Sequence, residues 1–516
     1  MLFYLPENLD LENLMHYNRP RFKPFKSDKL RYIIHTLNAR RLYDKDLMYE
    51  DFIPLNAVIL QKKIQNYKQY LDYLIHDLKI VETDGSYKVG SKSRGYRLIN
   101  KYQAKTKPVN VLDQTFYRTL KREKNKKELS VKHLDYLNKW FNPKLQIDLD
   151  LIKNYLQEEY NLKKDNYKLW DYDRIKKKHK KPINQYNHSL ISSSKLYNKD
   201  YNYMLDPNVY RYHTNLTNMR SILRNAVTYD GQKLISIDIK NSQPYLSTIL
   251  LNRFFWIEEK KSPKNKAYLS INFDKPTEKR DPNFVFTSFS NINNSIININ
   301  KIKIHKEDTY IMLGEMDISL ENKDFTKYVD LVVRGKLYEF LQEVFAKELG
   351  LKLISRKEVK VAVFQVLFTD NRFIGQKDAR PKKIFKEYFP EEYAIFAKIK
   401  KKDKSLLPRL LQSIESYLMI DIIAKRIAKE FPNAPIYTIH DSISTTAQYV
   451  DDVQRIMTEE LTKAIGYPPS LSREEWDVFN IHKSLNDLKI KALETGVRHI
   501  SLGDKKQSKE QSESIA

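Results

Sequence analysis

Apolar residues recur at helical spacing in two consecutive runs, IPLNAVILQKKIQ from Ile53 and NYKQYLDYLIHDLKIVE from Asn66, and these predict two amphipathic helices. The alternating stretch VETDGSYKVGSKSRGYRLINKY follows, with Asp84-Gly85 as its expected hairpin turn. Two helices followed by a two-stranded wing predict a winged helix-turn-helix over residues 27–103. Residues 104–210 read as mostly helical. Further on, LISIDIKNSQPYLSTILL predicts a buried strand that ends on Asp238, then a polar step, then a helix. APIYTIHDSISTT predicts a second strand, carrying Asp441. Between them SRKEVKVAVFQVLFTDNR and LLQSIESYLMIDIIAKRI read as helices. Residues 257–325 lack a regular period and contain the low-complexity stretch SNINNSIININKIKIHK, which predicts an insertion. The tail, 486–516, is expected to be partly disordered, most clearly in DKKQSKEQSESIA. There is no internal repeat.

Composition sharpens this picture. A chain of 516 residues implies several domains, and 41% hydrophobic content with 35 Tyr and 23 Phe supplies cores for them. The 91 Lys and Arg against 65 Asp and Glu leave a charge of +26, which favours a polyanionic partner, although an abundance of Lys, Asn, Ile and Tyr also fits a biased genome. The absence of cysteine excludes disulfides, thiolate zinc sites and thiol catalysis. No basic segment precedes an apolar stretch at the start, and no run approaches about 18 apolar residues, so a soluble, cytoplasmic protein without a membrane partner is expected.

Charge is concentrated at three places. The wing carries Lys88, Lys92, Arg94 and Arg97 with Tyr87 and Tyr96 interleaved, which suits phosphate contact; Lys92 and Arg94 are its expected nucleic-acid contacts. A protein-binding winged helix is the alternative. DRIKKKHKK is the densest run and is expected to be a solvated face without chemistry. YRYHTNLTNMRSILRNAV places Arg211, His213, Arg220 and Arg224 just before the first carboxylate strand, and Arg211 and Arg220 are taken as nucleic-acid contacts.

Arg356, Lys360, Phe364 and Phe368 recur every four residues, so one helix would present two cations and then two aromatics along one stripe. Cations can hold a triphosphate, and aromatics can stack on a base and sugar. An ordinary amphipathic helix with its cations around an aromatic core gives the same pattern. Two separated aspartates on strand ends, however, are able to hold two divalent metals that activate a hydroxyl and steady a leaving pyrophosphate. Together with the stripe and the basic chain they describe a nucleotidyl transferase.

Over residues 210–480 the chain resembles the palm and fingers of family A DNA polymerases and the related single-subunit RNA polymerases. Four motifs carry the resemblance in order: SIDIKNSQPYL, the helix with Arg356, Lys360, Phe364 and Phe368, the helix with Gln412, and YTIHDSISTT. It implies an α+β right-hand fold with palm (211–256 and 406–485), fingers (326–405) and a helical thumb (104–210). It also implies that Asp238 and Asp441, with the Ile239 carbonyl, bind two Mg2+, for which Mn2+ can substitute. Arg356 and Lys360 would grip the triphosphate, Phe364 and Phe368 would stack near the sugar and base, His440 would orient the primer end, and Gln412 would touch the primer-template. Gln243 falls at the sugar-discriminating position; in an alternative register Tyr245 does. The family's Tyr-Gly is here Phe368-Thr369, and Ser442 follows Asp441 as in the RNA polymerases. The partners implied are a DNA primer-template and nucleoside triphosphates. The N-terminal 200 residues lack a closely grouped acidic triplet, so no proofreading is expected. The expectation is a DNA polymerase of a mobile element, plasmid or phage. A single-subunit RNA polymerase, a template-independent terminal transferase and a non-catalytic initiator are the alternatives.

Overall fold

Strand β1 (Leu2–Pro6) pairs antiparallel with β5 (Thr106–Asn110), so that the start of the chain and a segment a hundred residues later close one unit. This is a computed structural model, and it describes residues 1–88, 92–173, 176–251, 256–258, 267–269, 324–350, 355–401 and 403–510. Between β1 and β5 come helix α1 (Ser27–Ala39), β2 (Ile53–Pro54), α2 (Ala57–Lys63), α3 (Tyr67–Asp72, whose turns continue to Asp77), β3 (Val81–Thr83) and β4 (Gly95–Leu98). Their sheet has the order β2-β4-β3. One core gathers Phe3, Leu30, Ile34, Leu60, Tyr70, Leu74, Leu98, Phe116 and Leu120. Buried Asp28 locks the two ends together, accepting from the Leu112 and Asp113 amides and pairing with Arg31. The module therefore reaches from the first residues into α4 (Gln114–Ser130), wider than 27–103.

Asp84-Gly85 is not the hairpin turn. Lys88 pairs with Lys92 beyond it, so the two arms of the wing continue past Asp84-Gly85, and the residues between Lys88 and Lys92 lie outside the described residues. Asp84 instead accepts from the backbone of Ser86 (3.1 Å) and Gly95 (2.9 Å), using its carboxylate to brace the base of the wing.

Helices α5 (Leu149–Lys164) and α6 (Pro182–Tyr197) pack together, each started by a local signal: Asp148 caps α5 and Pro182 opens α6. Ile191 of α6 packs with Tyr4, Ala39 and Leu42, which seats the N-terminal module on this pair. The basic run between the two helices is solvent-exposed, as expected, but several of its lysines are ion-paired. Lys176 pairs with Asp46 (2.5 Å), Lys178 with Glu50 (2.8 Å) and Lys181 with Asp51 (2.5 Å), all on the N-terminal module. Lys177 reaches Asp378 (2.6 Å), far along the chain.

The main sheet is antiparallel. β6 (Leu145–Ile147), β7 (Val227–Tyr229), β8 (Gln232–Ile239), β10 (Ser442–Thr446) and β9 (Tyr437–Ile439) follow one another across it. β11 (Leu471–Glu475) also pairs with β8. Asp230-Gly231, both at positive φ, make the two-residue turn between β7 and β8. After β8 comes the short helix α7 (Ser242–Ser247); α8 (Thr326–Val333), α9 (Leu337–Leu349), α10 (Arg356–Phe368), α11 (Arg380–Tyr388) and α12 (Pro390–Ile399) form a helical group. Helix α13 (Leu406–Ser416) runs on to Glu430, and α14 (Val450–Ile465) precedes β11. One core joins all of these, from Leu134 to Leu485. The expected insertion at 257–325 lies almost wholly outside the described residues. Helix α15 spans Val478–Glu510 and packs against α5, and the rest of the expected partly disordered tail lies outside the described residues.

Candidate active site

The two aspartates meet. Ile439 and Ser442 are paired across β9 and β10, so His440 and Asp441 are the two residues of that turn, and His440 takes the left-handed backbone that the turn requires (φ 57°). β10 then runs beside β8 with Ser442 opposite Asp238, and the Ile239 amide donates to the Asp441 carbonyl (3.4 Å). Two carboxylates about two hundred residues apart in the chain thus stand close together at the ends of neighbouring strands inside the sheet. Enclosure by the surrounding walls, and then the charge of Asp441, raise the Asp238 carboxyl to about 7, with Lys360 and Arg224 acting in the opposite direction.

Glu474 adds to that repulsion. It lies on β11 opposite Ser236, two residues back from Asp238 and on the same face of the sheet. This third carboxylate was not found in the sequence, because LSREEWD has no apolar rhythm and only strand pairing brings it near. Among the described residues no three His, Asp or Glu groups converge into a metal cage. A pair of carboxylates nevertheless suits Mg2+, which keeps several waters and takes one or two protein carboxylates together with substrate phosphates.

Helix α10 supplies the counter-charge. Ser355 and Glu358 form a reciprocal capping box at its start. Val359, Ala362, Val363, Val366 and Leu367 bury one side, which leaves Arg356, Lys360, Phe364 and Phe368 on the open side. Lys360 is near enough to Asp238 to act on its proton affinity. Arg356 lies over the Tyr338 ring (5.0 Å) and pairs with Glu339 (3.2 Å), while Lys360 lies 5.5 Å from the Phe364 ring. Phe364 and Phe368 are in contact, with centroids 5.1 Å apart. At the other end two buried lysines satisfy the last carbonyls. Lys400 donates to Val366 and Thr369, and Lys382 donates to the Asp370 carbonyl (2.9 Å) and the Thr369 hydroxyl (3.1 Å). Burial and the neighbouring Lys382 push Lys400 down to about 7.

Other expected residues sit elsewhere. Gln243 is buried and its amide donates to Glu415 (2.6 Å), which also accepts two bonds from Arg211 (2.6 and 3.1 Å). Tyr245 is 1% exposed and its hydroxyl donates to the Tyr467 carbonyl. Neither side chain has an open surface to meet a sugar. Arg211 and Arg220 are committed too: Arg220 makes two bonds to Glu159, at 2.6 and 2.8 Å. The resemblance identified positions, but long-range partners in this chain have claimed the side chains. Gln412 is half-buried on α13 and does not line the cleft beside the aspartates. Lys92 and Arg94 are exposed on the wing, with Lys92 bonded to Ser86 and Arg94 over Tyr87.

That cleft measures about 1020 Å³ and is lined by Asp238, His440 and Asp441 together with Lys45, Lys180 and Arg224. Burial, then Arg211 and Lys45, drive the His440 imidazole down to about 3, so it is neutral at physiological pH.

No family model matches the chain, and no curated protein matches it. Among solved structures it is similar to the POL domain of Pol1 from M. smegmatis in complex with DNA primer-template and dNTP, at 10% identity, over 70% of this chain and 73% of that one, with a TM-score of 0.28. At that TM-score the likeness carries no argument for fold or function, which rest on the site itself.

Proposed function

We propose that the protein is a template-directed nucleic-acid polymerase that adds deoxynucleotides to a DNA primer. The observation that carries this reading is the placement of Asp441 beside Asp238, with Lys360 of α10 close enough to act on Asp238. In the same reading the sheet is the palm, α8–α12 are the fingers, and the helix-strand-helix-helix-hairpin order of the N-terminal module is a winged helix that engages DNA.

Asp238 and Asp441 would hold the divalent ions, and Mg2+ fits an all-oxygen pair of this kind, with the Ile239 carbonyl on the same strand. When bound, such ions lower the proton affinity of the attacking hydroxyl and neutralise charge on the leaving pyrophosphate. The chain's own residues do the positioning. Lys360 and Arg356 bind the triphosphate as cations on one helix face, and Phe364 and Phe368 offer flat apolar surfaces to the base. His440, neutral and left-handed in the turn, holds Asp441 at the tip and accepts or donates one hydrogen bond to the end of the primer. Sugar choice does not come from Gln243 or Tyr245 as they stand, since both are buried.

The test is primer extension with Mg2+, dNTPs and NTPs in parallel. Asp238→Asn and Asp441→Asn should each reduce extension to background without lowering the thermal midpoint. Near-normal extension by either variant would overturn the assignment.

A further inference from the structure

We infer that Lys45, Lys180 and Arg224 form a phosphate-binding subsite for the strand being extended, and that the N-terminal module is thereby part of the catalytic cleft. The inference rests on the polymerase reading and adds to it a ligand contact from outside the palm and fingers.

The three cations come from three separate elements and line the same cleft as Asp238 and Asp441. Lys45 opens a short turn (Lys45–Tyr49) in the N-terminal module, Lys180 lies two residues before the start of α6, and Arg224 ends a short helix (Ser221–Arg224) just before β7. Among the described residues none of the three is ion-paired. Lys180 lies over the Tyr49 ring (5.6 Å), and Arg224 donates only to the Leu216 carbonyl and lies over Trp476. Of the other cations of this wall, Lys163 and Arg220 are neutralised by Glu159 and Lys176 by Asp46, while Lys483 and Lys491 of α15 also line the cleft. Like charges brought together cost free energy; Glu474 and Asp238 offset part of it at Arg224, and a polyanion between the cations offsets more. The mutual repulsion is visible in Lys45, whose proton affinity falls through enclosure and then through Arg224 and Lys180.

Docking fixes Lys45 in place. Leu42 and Ala39, a few residues before it, pack on Ile191 of α6, and Asp46 directly after it pairs with Lys176. The turn cannot leave the cleft without opening both contacts.

Position argues for the ligand. No residue of α10 lines this cleft, whereas Lys360 of α10 acts on Asp238. Nucleotidyl transfer brings together two phosphate-bearing reactants, and the aspartates are flanked by two cationic groups. The α10 stripe serves the incoming triphosphate; the Lys45 cluster serves the other reactant. Its phosphate belongs either to the phosphodiesters of a primer or to the 5′-triphosphate of a first nucleotide in unprimed synthesis.

The experiment uses the full chain with Lys45→Ala, Lys180→Ala and the double variant, and Lys121→Ala as an exposed lysine outside the cleft. A labelled single-stranded oligonucleotide is titrated across a salt series. The double variant should bind about tenfold more weakly, and its slope of log affinity against log salt should flatten by about 1.4, at about 0.7 per lost contact. Lys121→Ala should change neither. An unchanged slope in the double variant overturns the subsite. Steady-state extension then identifies the source. A raised KM for a short primer assigns the phosphodiesters, and a raised KM for the first nucleotide without primer assigns the triphosphate. A rise confined to the KM of the incoming nucleotide on a preformed primer-template overturns the inference. If the wild type adds no nucleotide at all, the polymerase reading fails and the binding slope still decides the subsite.

Discussion

Replacing Arg220 with alanine separates two roles for a cation on the cleft wall. If Arg220 touched nucleic acid, its loss would weaken binding and leave folding alone. Its two bonds to Glu159, at 2.6 and 2.8 Å, predict the reverse. Glu159 is 6% exposed, so removing Arg220 strands a buried carboxylate. Breaking a buried ion pair from one side costs about 3–5 kcal/mol. Two features move this case to the lower end: Lys163 still donates to Glu159 at 2.9 Å, and the Arg220 side chain is 21% exposed. A loss of about 3 kcal/mol is therefore expected. Urea unfolding measures it as a lower midpoint with an unchanged m-value. A double-mutant cycle with Glu159→Gln should return most of the loss as coupling. The effect also has a pH signature. Burial raises the Glu159 carboxyl, but Arg220 and Lys163 outweigh it and the net shift is downward. A depressed carboxylate contributes stability above its unfolded value and loses it as pH falls through the folded one, so the Arg220→Ala deficit should shrink in acid. An unchanged midpoint at neutral pH combined with weaker DNA binding would refute this reasoning and restore Arg220 as a contact.

Two further predictions concern buried polar groups near the site. Gln243→Gly removes one of the donors to buried Glu415 and should lower the unfolding free energy by about 1–3 kcal/mol; relaxed ribonucleotide selection with no loss of stability would instead make Gln243 a sugar contact. Lys400, held at about 7 against an ordinary 10.5, binds fewer protons folded than unfolded between those values, so wild-type stability should rise with pH across that window. Lys400→Met should flatten the rise, and identical pH profiles in the two proteins would show that Lys400 does not titrate there.

The sequence revealed what short-range periodicity encodes. The stripe of α10 was legible because apolar residues fill the intervening positions and force the four onto one side. Asp238 and Asp441 stood out because each interrupts an apolar run, although Asp441 proves to sit in the turn between β9 and β10 and not within one strand. Pairing partners were not legible. Nothing local marks Leu2–Pro6 as the partner of Thr106–Asn110, or Glu474 as a neighbour of Asp238, since those contacts exist only once the sheet forms. Asp84-Gly85 has the composition of a turn, but its carboxylate braces the wing from inside and the pairing of the two arms continues to Lys88 and Lys92. Gln243, Arg211 and Arg220 share a different cause. Their residue types suit substrate or nucleic acid, yet Glu415 and Glu159, distant in sequence, engage them inside the fold.

The base excess then divides into two populations with different uses. Lys176, Lys178 and Lys181 hold the N-terminal module against the body, and Lys177 reaches Asp378 beside α11. These lysines are between 36% and 69% exposed, so each pair is worth only about 0–1 kcal/mol. The apolar seat around Ile191 must supply the rest of the docking free energy. Lys180 belongs to the same basic run but faces the aspartates with Lys45 and Arg224. A short basic segment therefore both docks the module and charges the cleft. Salt weakens both through the same screening, since exposed pairs and phosphate contacts alike fade within a Debye length of about 8 Å at physiological ionic strength. The two effects separate by substitution: Lys178→Ala removes a docking pair and leaves the cleft's cations in place, whereas Lys180→Ala does the opposite.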